Sequence, residues 1–384
     1  MKTKIMFLAL ILPVMAMMQA IFISSCSNPL AAENSNNIDG GTQQPVHPPG
    51  GNPPDVFFIQ AQGDTVAAQL EWLQANAKSG GYYNVRAVLE NEIITSTHTL
   101  SYEGRPNVTV RIRGESNGRQ LSLGGPIGSM FEVAENDVTL ILENITLQGH
   151  LNNTFPLVFI CLGTLEMGRD SVITGNMTKS ASGGGIYSDR GVINMKDNAR
   201  IYNNRGSTGG GIYLYSSTVT MRDSATIDSN STYSNGGYGG GVSIGFESGL
   251  YMYDNAAIRN NIAHYNGGGV HFNGAENASL NMHGNNVQIS GNSALGNYAK
   301  GGGVYIQICG LINISGGVIH GINGLAFANT ASEGGAALFI TEGETEVRVG
   351  SYNSASGFTP CGPVFTAPFE SCSTFRVIDG VLLL

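Results

Sequence analysis

The chain has 384 residues, of which 54 are glycine, and only 12% of the residues are charged. Glycine-rich chains of low charge are often disordered, but a hydrophobic fraction of 41% favours a folded protein with a large core. The net charge is −9 and the sequence has no basic cluster, so nucleic acid is excluded as an expected partner.

The N-terminus has the order of residues of an export signal. Lys2 and Lys4 precede an apolar run from Ile5 to Ile23, and two serines then lead to Cys26. A basic start, an apolar segment and small residues before a cleavage site are typical of signal peptides. The cysteine in this place resembles the lipobox of bacterial lipoproteins. The resemblance implies that residues 1–25 are removed, that Cys26 is lipidated, and that a lipid anchor holds the exported protein at the outer membrane or cell surface.

The apolar run from Ile5 to Ile23 has an alternative interpretation as an uncleaved membrane-spanning helix, because it is long enough to cross a bilayer.

Two further segments precede the main part of the chain. Residues 26–55 are dense in proline, glycine and asparagine and lack periodicity, so they are predicted to form a flexible tether. Residues 56–106 are predicted to form an N-terminal cap.

One amphipathic helix is predicted within this cap, over residues 64–79. Its apolar face is formed by Val66, Leu70, Leu73 and Ala77. Asp64 is expected to cap the helix, and two glycines after Ser79 are expected to end it.

Residues 107–350 contain a repeat that returns every 26 to 34 residues. Four columns of identical residue types keep this period. Glycine triplets begin at 183, 209, 239, 267 and 301; isoleucines stand at 173, 201, 227, 258, 289 and 319; methionines stand at 167, 195, 221, 252 and 282, continued by Ile314; and asparagines stand at 176, 204, 230, 261 and 292. Several columns with one period indicate stacked structural repeats.

Each repeat is predicted to hold three short strands. In the segment of residues 218–222, Val219 and Met221 point to one side and their neighbours to the other, because side chains alternate along a strand. Equivalent strands of successive repeats pair at about 4.8 Å, so their apolar side chains form columns inside a tube. The sequence therefore predicts an all-β fold, a right-handed parallel β-helix, with residues 351–384 as a C-terminal cap. A β-propeller and a β-sandwich are the alternative folds.

The motifs "ITGN…GGGIY", "IDSN…GGGVS" and "ISGN…GGGVY" begin at residues 173, 227 and 289. They resemble the repeats of bacterial parallel β-helix lipoproteins with a pectin-lyase-like fold and, more distantly, those of polymorphic outer-membrane proteins. Members of that second family are displayed on the cell surface and implicated in adhesion. The resemblance implies a non-catalytic surface lipoprotein that binds a glycan or a host surface protein. The fold also resembles that of pectin lyases and polygalacturonases, so a polysaccharide lyase or glycoside hydrolase is the alternative.

An acidic column is the only catalytic pattern in the repeats. It consists of Asp170, Asp197, Asp223 and Asp254. A ladder of turns is the preferred interpretation, because aspartate favours turns and no arginine or histidine column accompanies it. An enzyme site would lie in loops such as residues 261–267 or 291–300.

Metals and cofactors are not expected from the sequence. The histidines have no metal-like spacing, and a P-loop and a nucleophile elbow are missing from the sequence. The glycine triplets precede strands and not helices, so they indicate sharp turns and not phosphate sites.

An outward-facing aromatic column is predicted in the strands after the glycine triplets, because side chains alternate. It consists of Phe159, Tyr187, Tyr213, Ser243, His271 and Tyr305, with Phe339 added after a slip of one residue. Exposed rings stack on sugars and anchor partners, so Phe159, Tyr187, Tyr213, His271 and Tyr305 are candidate ligand-binding residues. The alternative is that the rings stack on each other and stiffen the sheet, or lie under a long loop.

The cysteines beyond Cys26 are interpreted through export, which permits disulfides. Cys161 and Cys309 belong to coils five repeats apart, which is about 24 Å and too far for a bond. Cys361 and Cys372 flank a loop after the last coil. They are predicted to pair with each other and to help close the C-terminal end.

Overall fold

The computed structural model describes residues 57–383 except for short internal gaps, at 234–235, 274–276, 308–309, 323–326, 342–344, 354–356, 367–368, 372–374 and 379–380. The predicted signal peptide, Cys26 and the predicted tether lie outside the described residues. In the part of the chain that is described, no helix is long and apolar enough to cross a membrane.

One helix, α1, precedes the coils and covers Val66–Asn76. It is shorter than the predicted helix over residues 64–79. Thr65 caps it and not Asp64, because the Thr65 side chain accepts a hydrogen bond from the backbone N–H of Ala68 at 3.1 Å. The four residues of the predicted apolar face are all buried, so the orientation of the helix is confirmed.

The strands, numbered along the chain, stack from coil to coil into long sheets, and each sheet extends along the axis of the solenoid. The first sheet has 12 strands. In spatial order they are β1 (Ile59–Gln60), β2 (Tyr82–Ala87), β5 (Val108–Gly114), β8 (Val138–Glu143), β11 (Thr164–Met167), β14 (Val192–Met195), β18 (Thr218–Met221), β22 (Gly249–Tyr253), β26 (Ser279–His283), β30 (Gly310–Ile314), β34 (Thr345–Asn353) and β35 (Gly357–Thr366).

The second sheet, which carries the predicted aromatic column, has ten strands. They are β36 (Phe369–Ser371), β33 (Leu338–Ile340), β29 (Val304–Ile306), β25 (Val270–Phe272), β21 (Val242–Ile244), β17 (Ile212–Tyr215), β13 (Ile186–Asp189), β10 (Val158–Cys161), β7 (Phe131–Val133) and β4 (His98–Leu100).

The third sheet has 11 strands, and a fourth has five short ones. The third contains β3 (Asn91–Ile94), β6 (Gln120–Leu123), β9 (Thr146–Gln148), β12 (Val172–Thr174), β15 (Arg200–Tyr202), β19 (Thr226–Asp228), β23 (Ala257–Arg259), β27 (Gln288–Ser290), β31 (Gly317–Ile319), β37 (Phe375–Ile378) and β38 (Val381–Leu383). The fourth contains β16 (Arg205–Gly206), β20 (Ser231–Thr232), β24 (Ile262–Ala263), β28 (Ser293–Ala294) and β32 (Thr330–Ala331).

This arrangement is a parallel β-helix of about eight turns, and it confirms the predicted fold class and the three strands in each coil. The chain visits the first, third and second sheets in turn. Strands β2, β3 and β4 already pair in parallel with β5, β6 and β7. The coils therefore begin at Tyr82, inside the segment that the sequence assigns to the cap.

The C-terminal strands close the three large sheets in the opposite direction. Strand β35 pairs antiparallel with β34, β36 with β33, and β37 with β31. An open end of a solenoid would expose unpaired backbone groups, and antiparallel strands satisfy them at each sheet.

The core consists of the predicted apolar columns. Met167, Met195, Met221, Met252, Met282 and Ile314 stand opposite one another in register and are buried. The six isoleucines from Ile173 to Ile319 do the same in the third sheet. Because equal or similar apolar side chains repeat in these columns, neighbouring layers of this part of the core pack in a similar way.

Asparagine and glycine make the corners. Asn230 is buried, and its side-chain amide donates to the side-chain oxygen of Asn261 at 3.1 Å and to the carbonyl of Ile201 at 2.9 Å. The same bonds recur at Asn204, Asn261 and Asn292, and Asn329 extends the predicted column after a longer coil. Gly209 has a φ of +64°, and a Cβ on Gly210 would lie 2.3 Å from the Ser231 carbonyl oxygen. The triplets therefore form tight corners, as predicted.

Candidate functional site

The aromatic column lies in the second sheet in the predicted register. Phe159, Tyr187, Tyr213, Ser243, His271 and Tyr305 stand directly opposite one another from strand to strand. Tyr305 is also directly opposite Phe339, so the expected slip of one residue does not occur. We use the name aromatic column for Phe159, Tyr187, Tyr213, His271, Tyr305 and Phe339.

The rings of the aromatic column were expected to be exposed, but most of them are buried. The exposed fraction is only 9% for Tyr213 and 1% for His271, and Tyr187 is half-buried. The rings cover each other. The ring centroids of Tyr187 and Tyr213 are 5.1 Å apart with planes at 22°, and those of His271 and Tyr305 are 5.6 Å apart with planes at 5°. The column thus has the packing of a structural stack.

A serine divides the aromatic column into two groups. Ser243 occupies the position between Tyr213 and His271 and is fully buried. The ring of Tyr238, from the loop before β21, has its centroid 4.6 Å from that of the His271 ring. Tyr238 therefore contributes an aromatic ring beside the one position in the column that lacks one.

His271 is a buried titratable group in this stack. Neither of its ring nitrogens has a hydrogen-bond partner among the described residues, and the hydroxyl of the adjacent Ser243 has none there either. Burial lowers the pKa of His271 from 6.5 to about 3, because the charged imidazolium would lose its hydration. Burial also raises the pKa of Tyr213, although a hydrogen bond with Asn273 acts in the opposite direction. The neutral forms are thus the stable ones here.

Exposed tyrosines lie in the loops just before the glycine triplets, next to the aromatic column. The exposed fraction is 37% for Tyr265 and 75% for Tyr298. The ring of the half-buried Tyr238 contacts that of Tyr265 edge-on at a centroid distance of 5.1 Å. We call Tyr238, Tyr265 and Tyr298 the tyrosine ridge. The sequence signal was a tyrosine within three residues before a glycine triplet, and Tyr265 and Tyr298 lie inside the loops over residues 261–267 and 291–300.

The acidic column forms turns, as preferred from the sequence. Asp170, Asp197, Asp223 and Asp254 all have φ between +52° and +57°. The backbone N–H of Asp197 donates to Asp223 at 2.9 Å, and that of Asp223 donates to Asp254 at 3.0 Å. The carboxylates of Asp223 and Asp254 thereby support the turn of the coil before them, whereas the backbone N–H of Asp170 donates to the side-chain oxygen of Asn198 at 2.8 Å. Turn formation accounts for aspartate at these positions.

A cleft that the sequence did not indicate lies at the corners between the first and third sheets. Its volume is about 320 Å³, and its lining includes Arg119, Asn144, Asp170, Asn198 and Arg200. Among the described residues, the Arg119 side chain has no hydrogen-bond or ion-pair partner, and its Nε atom is buried. Unpartnered guanidinium donors in a cleft are suited to bind an anion. We call this feature the arginine cleft.

Two further features, a metal site and the predicted disulfide, depend on the positions of the His, Cys, Asp and Glu side chains. Within the described residues, no cluster of three His, Cys, Asp or Glu side chains could hold a metal ion. Cys161, at the end of β10, is buried and disulfide-bonded. The side chains of Cys26, Cys309, Cys361 and Cys372 lie outside the described part, so the pairing of Cys361 with Cys372 stays a prediction.

No family model matches the chain, and it has no match among curated proteins or among solved structures. The parallel β-helix rests on the structure itself. The resemblance to β-helix lipoproteins and to pectin lyases stays a prediction about identity.

Proposed function

We propose that the protein is an exported, lipid-anchored and non-catalytic β-helix whose outer surface binds a glycan or a host surface protein. The observation that carries the proposal is the tyrosine ridge. Tyr265 and Tyr298 are exposed on successive coils, beside a stack in which similar rings are buried. A folded chain gains nothing in its core from such rings, whereas binding surfaces are rich in them.

The geometry of a solenoid supports binding through repeated weak contacts. Successive coils are about 4.8 Å apart, so side chains in equivalent loops recur along the axis at a spacing set by the backbone. An extended ligand that lies along the axis would meet one loop after another. Tyrosine suits this role because it offers a flat apolar face and a hydroxyl at low cost in side-chain entropy.

Export and the anchor are supported by one observation in the sequence. The N-terminal residues have the order of a lipoprotein signal, with Cys26 after two serines.

The binding function is tested with purified protein on an array of glycans and matrix proteins. We expect wild type to bind at least one class of ligand, and the double variant Tyr265→Ser, Tyr298→Ser to bind about 10-fold more weakly or less, as for aromatic residues at hot spots. Tyr82→Ser is the matched control, because Tyr82 is an exposed tyrosine on β2.

Two results would contradict this proposal. If wild type binds nothing on the array, or binds equally well without both ridge tyrosines, the ridge is not a binding surface. If the bound polysaccharide is shortened during incubation, the chain is a lyase or hydrolase, and the alternative function replaces the proposed one.

The anchor is tested by metabolic labelling with a fatty acid. We expect label in the wild-type protein and none in Cys26→Ser, because the thiol is the acceptor of the lipid. Label that persists in the variant would contradict lipidation at Cys26.

A further inference from the structure

The arginine cleft owes its shape to corners of unequal length. The corner between β8 and β9 has only two residues, Asn144 and Ile145, whereas the chain needs residues 115–119 between β5 and β6 and residues 168–171 between β11 and β12. A short corner between two longer ones leaves a depression. Arg119 stands on one side of the depression and Arg200 on the other, about three coils apart.

The charges in the arginine cleft leave one cation without a partner. Arg200 donates to both carboxylate oxygens of Asp228, at 3.0 and 2.8 Å. Asp170 lies 3.5 Å from Arg169 and accepts a hydrogen bond from the Asn198 amide. Arg119 has no ion pair or side-chain hydrogen bond with any of the described residues. A half-buried guanidinium such as that of Arg119 normally has an anionic partner, so the cleft can accept one negatively charged group.

The remaining lining combines polar and apolar groups. Asn117 and Thr146 offer an amide and a hydroxyl, and Ile145 and Val172 form an apolar floor. Hydrogen-bonding groups around an apolar surface suit a sugar ring, which has hydroxyls at its edge and C–H groups on its face. The volume of about 320 Å³ is near the lower end for small-molecule sites, so it fits a short piece of a glycan and not a folded partner.

We propose that the arginine cleft binds the acidic group, a carboxylate or a sulfate, of a glycan chain, with Arg119 as the residue that contacts the anion. A guanidinium presents two parallel N–H donors to either group. A single unpaired cation matches one charge per sugar unit, whereas a polyphosphate would need several cations. This inference rests on the proposed binding function and assigns it a second site, away from the tyrosine ridge.

The test compares three oligosaccharides of similar length, one with carboxylates, one with sulfates and one neutral, by titration calorimetry with the purified protein. We expect at least one acidic oligosaccharide to bind and the neutral one to bind more weakly. Arg119→Gln should weaken acidic binding about 10- to 100-fold, the usual effect of losing a hydrogen bond to a charged group. Arg119→Lys should retain part of the affinity, because the charge remains.

Arg113→Gln is the matched control, since Arg113 is an exposed arginine on the neighbouring β5 and does not line the cleft. The same melting temperature is expected for all variants, because Arg119 makes no contact that the fold needs. Affinity should also fall as salt rises. The carboxylate and sulfate titrations identify which of the two groups is bound.

The outcomes separate this inference from the proposed function. In one, Arg119→Gln leaves the affinity for the acidic oligosaccharides unchanged; in another, the neutral oligosaccharide binds as well as they do. Either result would refute anion binding at the arginine cleft and leave the proposed binding function intact. A wild-type protein that binds neither an acidic oligosaccharide nor any ligand on the array would overturn both.

Discussion

The aromatic column and the tyrosine ridge are neighbours of similar composition and opposite burial. The column lies in the strands after the glycine triplets, where Tyr213 is buried between Tyr187 and the next coil. The ridge lies in the loops before the triplets, where Tyr298 is largely exposed. Side chains on a strand stand at the coil spacing, about 4.8 Å, so rings of equal size must pack face to face. Loop side chains also recur with the coils but are not held face to face, so Tyr298 remains open to solvent or a ligand.

This difference changes where binding should be sought. An outward direction from the core does not ensure exposure, because the neighbours above and below cover the faces of each ring. The ring contacts of the aromatic column stabilise the fold, whereas the exposed rings of the tyrosine ridge can contact a partner. Three changes test this division, from the largest effect on stability to the smallest.

The first prediction concerns two stacked tyrosines of the aromatic column. Tyr187→Ser combined with Tyr213→Ser should lower the free energy of unfolding by roughly 5 kcal/mol, because it removes two rings from a closed stack and leaves a cavity. Urea unfolding followed by circular dichroism measures the change.

The control for this pair replaces both tyrosines with phenylalanine. The rings and their stacking remain while both hydroxyls are removed, including the one of Tyr213 that is hydrogen-bonded with Asn273, so we expect a loss of about 1 kcal/mol. If the serine variant keeps its stability and loses ligand binding, the column is a binding surface after all and the division between column and ridge is wrong.

The second prediction uses the buried histidine of the aromatic column. The pKa of His271 is about 3 in the folded protein and about 6.5 when unfolded, so the unfolded chain binds more protons between these values. Its contribution to stability is complete above pH 6.5 and is lost as the pH falls toward 3, at about 1.4 kcal/mol per pH unit.

The variant His271→Phe separates this effect from other groups. Burial also lowers the pKa of His283, to about 4, and that of His98, so the wild-type protein has several acid-sensitive groups. Between pH 6.5 and pH 5, wild type should lose about 2 kcal/mol more stability than His271→Phe. Equal acid sensitivity in the two proteins would mean that His271 is not buried as a neutral ring.

The sequence predicted those features that depend on local alternation and on a repeated period. The columns of Met221 and Ile227 were predictable because each strand places every second residue inside, and the period aligns the strands. The burial of Tyr213 was not predictable in this way, because its cover comes from Tyr187 on another coil. The predicted helix limits were also wrong, by two residues at the start and three at the end; at the start, Asp64 and Thr65 are both good caps and only the fold selects between them.

The arginine cleft escaped prediction for a related reason. It depends on a difference in corner length among the first coils, where the glycine triplets and the methionine column have not yet begun. Without those markers the register of Arg119 against Arg200 cannot be obtained from the sequence. Once the strand pairs are known, the short corner at Asn144 and Ile145 is evident.

The last prediction has the smallest expected effect on stability and tests the other half of the division. Tyr265→Ser combined with Tyr298→Ser should lower the free energy of unfolding by only about 1 kcal/mol, because Tyr298 is largely exposed and Tyr265 loses its edge-on contact with the Tyr238 ring. Unfolding is measured beside Tyr82→Ser and beside the column variant. A loss of several kcal/mol would show that the ridge tyrosines pack as the column does, and their role in binding would then have no independent support. If the Tyr265 and Tyr298 double variant keeps most of its stability but binds ligand more weakly, the loops before the glycine triplets contribute the binding energy. Tyrosine-to-serine changes in the strands would instead destabilise the fold.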